Sequence, residues 1–268
     1  MGKTRLDALL VERGMAQSRE RAKADIMGGN VIVGGSRAVK PGVLVDSDAS
    51  IEVRSLPEYV SRGGKKLEKA LRFFGVSVEG KVCIDCGAST GGFTDCLLRH
   101  GARLVYAVDV GYGQLAWSIR TDPRVVTMER TNIRYVTMDA FEERPELAAV
   151  DLSFISLRLV LPVLRKLIDG NGEILCLIKP QFEAGREYVG KHGVVRDPST
   201  HMAVLDDFVR YAVESGFFVG GLSHSPLKGP KGNIEYLGRL SITGEGGFID
   251  TGAVVSKAHD ELSGIHKT

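Results

Sequence analysis

The residues best suited to chemistry form one run, Asp85-Cys86-Gly87-Ala88-Ser89-Thr90-Gly91-Gly92-Phe93-Thr94. An acid followed by small residues and glycines lets the backbone turn close against a bound molecule. The run lacks the closing Gly-Lys-Ser/Thr of a phosphate-gripping P-loop and does not match Gly-x-Gly-x-x-Gly. An acid ahead of the first glycine suits a cationic amino-acid ligand better than a pyrophosphate. A second acid, Asp109, lies 24 residues further on, where its two oxygens could accept from both hydroxyls of a ribose. Asp109 would serve NAD equally well, and Asp85 alone could be a helix cap.

Cys83 and Cys86 also invite a chemical reading, since Cys-x-x-Cys can be a redox or zinc motif. Zinc would need two more soft ligands at a recognisable spacing, and Cys96 and Cys176 are scattered. The pair sits in the apolar run Val82-Cys83-Ile84, so both are expected to be small hydrophobes in a buried strand. No metal is expected.

These residues need a scaffold. From about residue 61 the pattern alternates between helix and strand. Helices are expected at Lys65–Phe74, Gly92–His100, Gly113–Thr121 and Ser199–Ser215, with another running through Leu161. Strands are expected at Val82–Cys86, Leu104–Asp109, Val125–Met128, Ala148–Leu152, Glu173–Lys179, Phe217–Leu222 and Ile234–Ile242. Such alternation predicts a largely parallel sheet covered on both faces, and the run Ile174–Ile178 suits a strand buried on both sides. Residues 1–58 are different, with short helices around Leu6–Leu10 and Ser18–Met27 and then β-branched runs from Val31 to Val53. Ser18 is a plausible N-cap, and Gly28-Gly29-Asn30 ends that helix. Leu56-Pro57 begins a linker, because proline extends neither a helix nor a central strand.

Five motifs in order carry a resemblance that covers nearly the whole chain. They are Asp85–Thr94, Asp109–Leu115, Asp151-Leu152-Ser153-Phe154-Ile155-Ser156, Lys179-Pro180-Gln181-Phe182-Glu183 and Gly232-Asn233-Ile234-Glu235-Tyr236. Together they resemble the TlyA family, in which a small RNA-binding domain precedes an FtsJ-like ribose methyltransferase. The resemblance implies an α/β fold: a Rossmann-like, seven-stranded class I methyltransferase sheet with its last strand antiparallel, behind a small N-terminal α+β domain. The implied layout is 1–58 for RNA binding, 59–64 as linker and 65–268 for methyl transfer. It implies S-adenosylmethionine as cofactor and the 2′-hydroxyl of a ribosomal RNA cytidine as acceptor.

The resemblance also implies a catalytic tetrad of Lys66, Asp151, Lys179 and Glu235. Asp151 and Lys179 end strands that face the crevice where such sheets bind ligands. Lys65 adjoins Lys66, so a slip of one residue would exchange them. A ribose hydroxyl is a poor nucleophile, and Lys179 would activate it as a neutral base or by steering it, with Asp151 and Glu235 orienting the lysines. Cofactor contacts are implied at Asp85, Gly87, Ala88, Ser89, Thr90, Gly91, Gly92, Phe93, Asp109, Val110, Asp151 and Phe154. Phe154 could flank the cofactor base or be a core aromatic.

In the first region, Arg5-Leu6-Asp7, Ser18–Ala24 and Val31–Gly35 resemble the αL RNA-binding motif. Arg19 and Lys23 lie four apart on one helix face. With Arg5, Ser18 and Arg37 they would grip phosphates, which gives affinity with little sequence information. A solvated helix is the plainer reading, because Asp7, Glu12, Glu20 and Asp25 lie among these cations. Arg62 and Lys65 open the most basic stretch of the chain, with Lys66, Lys69 and Arg72 against Glu68 alone, a plausible substrate funnel. Arg186, Lys191 and Arg196 could form its opposite wall.

The net charge of +2 offers no global field for nucleic acid, so local clusters must carry that case. No run approaches the roughly 18 apolar residues of a membrane helix, and Met1–Leu10 does not read as a signal peptide. A cytoplasmic protein with no membrane partner, bound to ribosomal RNA within subunits, is expected. The competing readings are an NAD-dependent oxidoreductase, a non-enzymatic RNA-binding assembly factor and a haemolysin, the last suggested only by a family label. The N-terminal helix and the segment Gly252–Ile265 favour action on both ribosomal subunits.

Overall fold

The computed structural model describes residues 2–16, 18–53 and 58–263. The chain divides into two compact units, Met1–Glu58 and Tyr59–Thr268. Leu56-Pro57, where the linker was expected to begin, lies outside the described residues, as do the last two residues of Gly252–Ile265.

The first unit builds a small core from short elements. They are β1 (Lys3–Arg5), α1 (Leu6–Glu12), α2 (Arg19–Met27), β2 (Val31–Val33), β3 (Ser36–Arg37), β4 (Leu44–Asp46) and β5 (Ile51–Val53). Strand β1 pairs with β4, and β2 lies between β3 and β5, all antiparallel. Leu6 and Leu10 of α1 meet Ala22 and Ile26 of α2 over Val31. The i, i+4 spacing on both helices turns one apolar stripe of each inward. Ser18 caps α2 by accepting from Arg21 N at 3.1 Å, and Gly29 takes a positive φ of 72° just past its end.

In the second unit, apolar runs flanked by helices fold into one sheet. The elements are α3 (Gly63–Phe74), β6 (Val82–Cys86), α4 (Gly92–Arg99), β7 (Leu104–Val108), α5 (Trp117–Arg120), β8 (Val125–Met128), β9 (Leu147–Val150) and α6 (Leu161–Leu167). Then follow β10 (Glu173–Ile178), α7 (Pro180–Glu183), α8 (Pro198–Glu214), β11 (Phe218–His224), β12 (Tyr236–Ser241) and α9 (Thr251–Ser263). The sheet order is β11-β12-β10-β9-β6-β7-β8. The pairs from β10 to β8 are parallel, whereas β12 is antiparallel to both β10 and β11. This is the expected α/β architecture: seven strands with the last reversed.

Side chains of β6 alternate between two cores, as a period of two requires. Val82, Ile84 and Cys86 pack with α6 and α8, while Cys83 packs with α3 and α4. Cys83 and Cys86 therefore face opposite sides of the sheet and cannot share a disulfide or a metal. Burial pushes the Cys83 thiol up to about 12, so both behave as hydrophobes.

Three features differ from the sequence reading. Helix α5 is only Trp117–Arg120 rather than Gly113–Thr121, because the preceding loop is held open by Asp109 and Glu129, which accept from Gly111 N and Gly113 N. Residues 59–64 are part of the second unit: Tyr59 is buried in its core, and α3 starts at Gly63. The segment after Asp250 forms α9, with Val255, Ala258 and Leu262 packed against the main core.

Candidate active site

Strand order reverses at β6, whose neighbours β7 and β9 run in parallel on either side, so the chain leaves β6 and β9 toward opposite faces of the sheet and a crevice opens beyond their ends. The loop after β6 turns tightly into it. Gly87 N and Ala88 N donate to Val108 O at 2.9 and 3.1 Å. Gly87 has φ 92°, and a Cβ there would lie 2.5 Å from the Asp151 carbonyl, so only glycine lets the two strand ends approach. Asp85 lies beneath the loop. Its Oδ2 accepts from Thr94 N at 2.9 Å and Thr94 Oγ1 at 2.7 Å, which pins the start of α4. Its Oδ1 is buried with no partner. Burial, the largest cause, raises the carboxyl to about 7.

Two hollows meet at this loop and share Gly87, Ser89 and Asp151. The larger, about 1000 Å³, is also lined by Asp109, Val110 and Phe154. The smaller, about 470 Å³, is lined by Ala88, Thr90, Gly92, Phe93, Arg62 and Lys66. The sequence reading named most of the lining of the smaller hollow but less than half of that of the larger, and Asp85 and Gly91 are not among the lining residues. Asp109 fixes the loop as well as lining it: Oδ2 accepts from Ser89 N at 2.8 Å and Oδ1 from Gly111 N at 2.6 Å. Each oxygen keeps a second lone pair for a hydroxyl. Phe154 is 90% exposed, which removes the core-aromatic alternative. Its φ of 66° is unusual for a bulky residue, and its ring packs against Phe182 with centroids 5.1 Å apart.

The four tetrad residues form two ion pairs. Lys66 Nζ meets Glu235 Oε2 at 2.5 Å, and Lys179 Nζ meets Asp151 Oδ1 at 2.6 Å. Both lysines are 7% exposed. Lys66 and Asp151 line the hollows, and their partners hold them from behind. Lys179 also donates to Ser153 Oγ at 3.1 Å, and Ser153 faces the larger hollow. Lys65, the alternative to Lys66, is at the exposed surface. Charges this deeply placed persist only when each has an opposite partner.

Several residues escaped the sequence reading. Thr131, Asn132 and Arg134 line the larger hollow from the loop after β8, and Gln114 joins them. Lys228 and Pro230 line the smaller one. Asn233 is buried within its motif. It accepts from Val195 N at 2.9 Å and donates to Gly193 O at 2.8 Å, tying two loops together just before Glu235. Glu183 accepts from Ser156 Oγ at 2.6 Å and Leu157 N at 2.9 Å, which holds the loop bearing Ser153 and Phe154. Among the expected wall cations, Arg186 lines the larger hollow.

In the first unit, Asp7 is fully buried and gathers two of the expected RNA-binding cations. Arg5 Nε and Nη2 donate to its two oxygens at 3.1 and 2.9 Å, and Arg19 Nη2 donates at 3.2 Å. Both arginines stay half exposed, while Lys23 and Arg37 are exposed. Ser18 is committed to its helix cap.

Comparison with known proteins agrees with this geometry. Residues 59–241 match the FtsJ-like methyltransferase family, and residues 4–51 match the S4 domain. The 16S/23S rRNA (cytidine-2′-O)-methyltransferase TlyA of Mycobacterium tuberculosis (strain ATCC 25618 / H37Rv) is 48% identical over 236 residues, 87% of this chain and 88% of that protein. Hemolysin A of Brachyspira hyodysenteriae is 43% identical over 239 residues, 89% of this chain and all of the relative. A solved Streptococcus thermophilus structure, carrying a provisional hemolysin name, is 46% identical with a TM-score of 0.75 and 98% coverage of both chains. Sheet order, crevice and family match agree: the chain belongs to the FtsJ-like methyltransferase family and carries an S4 domain ahead of its methyltransferase domain.

Proposed function

We propose that this protein transfers a methyl group from S-adenosylmethionine to the 2′-hydroxyl of a cytidine ribose in ribosomal RNA, acting on ribosomal subunits in the cytoplasm. The observation that carries the reading is the pair of buried ion pairs, Lys66–Glu235 and Lys179–Asp151, at the mouth of the glycine loop. The residues present fit the cofactor. Asp85 Oδ1 is a buried acceptor without a partner beneath the loop, suited to a nearby ammonium. Asp109 keeps lone pairs for two ribose hydroxyls, and Gly87 leaves the loop open to close approach.

When bound, S-adenosylmethionine supplies a methyl group on a positively charged sulfur. The protein's task is to align the acceptor hydroxyl and receive its proton. Asp151 faces the hollow with Lys179 at 2.6 Å behind it. Lys179 first yields one proton to solvent, its neutral Nζ then takes the hydroxyl proton as the methyl is transferred, and Asp151 pairs with the ammonium so formed. Lys66, locked by Glu235, adds a fixed positive charge on the opposite wall, where it steers the developing alkoxide. Much of the acceleration comes from alignment rather than acid–base strength. The S4 domain supplies RNA affinity through Arg5, Arg19, Lys23 and Arg37, and Arg62 and Lys65 give the methyltransferase domain cations of its own. The identity shared with the 16S/23S relative supports action on both subunits. The hemolysin names of two relatives do not change this reading; among the described residues no helix is long and apolar enough to cross a membrane.

The test is transfer of labelled methyl from S-adenosylmethionine to unmodified ribosomal subunits, followed by mapping of the product. The expected product is a cytidine 2′-O-methyl ribose. Methyl on a base, or no transfer despite tight binding, would overturn the reading, and the latter would make the chain an RNA-binding assembly factor.

A further inference from the structure

The run Pro226-Leu227-Lys228-Gly229-Pro230-Lys231-Gly232, ahead of β12, has no part in the chemistry above. With Arg62 it lines a hollow of about 380 Å³. Every charged residue lining this hollow is a cation: Arg62, Lys228 and Lys231. The other lining residues are proline, leucine and glycine. Three like charges around one concavity repel each other unless an anion sits among them.

The frame is built rather than loose. Gly229 N donates to Asn233 O at 2.9 Å, and Gly232 N donates to Gly229 O at 2.8 Å. A Cβ at Gly229 would lie 2.5 Å from Glu235 Oε1, so the turn rests directly on the tetrad glutamate. Arg62 Nη2 donates to Lys228 O at 2.8 Å, which ties the start of α3 to the turn. Arg62, Lys228 and Pro230 also line the hollow that holds Lys66 and Asp151. A chain entering one hollow therefore continues into the other.

We propose that Arg62, Lys228 and Lys231 form a phosphate subsite that holds the RNA backbone beside the acceptor ribose, an inference that rests on the RNA methyl-transfer reading above. S-adenosylmethionine carries no phosphate, so the cofactor has no use for this cluster. A polynucleotide carries one negative charge per nucleotide and meets the cations wherever its backbone passes. Gripping that phosphate fixes the acceptor ribose against Asp151, and the rigid turn carries the fix to Glu235 and Lys66.

The test is the double variant Lys228→Ala/Lys231→Ala in the full chain, with Lys228→Arg/Lys231→Arg alongside. Both side chains reach the surface, and unchanged S-adenosylmethionine affinity by calorimetry checks the fold. Binding to unmodified subunits is measured across a salt series, and methyl transfer is measured under turnover. The alanine pair should raise the apparent KM for subunits about 10-fold and also lower kcat, because the acceptor ribose is then held less firmly against Asp151. It should also flatten log K against log salt by roughly 0.7–0.9, the release expected from one phosphate contact. The arginine pair should retain both. Unchanged KM and slope in the alanine pair would overturn the subsite, and so would lost cofactor affinity, which would place the lysines in the cofactor pocket. The binding arm needs no turnover. If the wild type binds subunits yet transfers nothing, the methyl-transfer reading fails, and the salt slope still decides the subsite.

Discussion

The two units both build on cations locked to buried carboxylates, yet they place the cations differently. In the S4 domain, Asp7 is buried while Arg5 and Arg19 keep about half of their side chains in solvent. In the methyltransferase domain, Lys66 and Lys179 are themselves buried, each with only 9% of its side chain exposed. A half-exposed guanidinium fixed on one side keeps donors free on the other and cannot lose its proton, which suits repeated gripping of phosphate. A buried ammonium with a carboxylate partner is costly to desolvate. It earns that cost where a proton or a developing charge must be handled away from water. On the proposed function, the same pairing would serve RNA affinity in the S4 domain and chemistry in the methyltransferase domain.

Breaking the buried pairs should have the largest effect. Glu235→Ala leaves Lys66 charged and unpartnered, which should destabilise the domain by about 3–5 kcal/mol. Chemical denaturation would reveal this, and restored stability in Lys66→Met/Glu235→Met would trace the loss to the orphaned charge. Next in size is the cofactor pocket. Asp109→Ala should weaken S-adenosylmethionine by about 1–3 kcal/mol, read by calorimetry, and unchanged affinity would mean that the ribose is held elsewhere. The exposed cations should matter less and in a different way. Arg19→Ala/Lys23→Ala should lower affinity for subunits and flatten its salt dependence, with cofactor affinity unchanged.

A pH series sharpens the contrast between two buried aspartates. Hydrogen bonds from Arg5, the largest cause, and from Arg19 hold the Asp7 carboxyl down at about 2. Its stabilising contribution is present above the ordinary aspartate range and is lost as pH falls toward 2. Asp85 is the reverse, raised to about 7 by burial. Ionising it is harder in the folded chain, so its contribution falls as pH rises from about 4 to about 7 and then levels off. Thermal midpoints of the cofactor-free protein should therefore show Asp85→Asn gaining on the wild type across that window. A constant difference over those pH values would contradict the assignment.

The strands were the most legible part of the sequence. Residues Val82–Cys86 and Val125–Met128 were read to the residue: the first is an apolar run buried throughout, and the second is a half-exposed edge strand marked by its paired valines and threonine. Helix α9 was missed although Val255, Ala258 and Leu262 carry a helical spacing and Asp250 caps its start by accepting from Ala253 N at 2.9 Å, because it follows a glycine-rich stretch. The glycine loop and the tetrad were legible as motifs, and the fold paired the four residues two by two. Thr131, Asn132, Arg134 and Lys228 were not legible. They sit on loops that only the strand order brings to the crevice, and no local pattern marks them. Asp85 shows a division that no motif reveals: its Oδ2 anchors α4 from below, while its buried Oδ1 has no partner.

The account turns on Lys179, buried and held between Asp151 and Ser153. The most direct measurement is single-turnover transfer of labelled methyl to unmodified ribosomal subunits by Lys179→Ala, with cofactor affinity measured in parallel. The predicted result is a rate lower by roughly 100-fold or more, the loss expected when a positioned proton-handling group is removed, with cofactor affinity nearly unchanged. Lys179→Arg should not restore the rate, because guanidinium stays protonated and its planar fork differs from an ammonium. Transfer by Lys179→Ala within a few-fold of the wild type would contradict the assignment of the tetrad. Full activity in Lys179→Arg would instead reduce the lysine to a fixed charge that handles no proton.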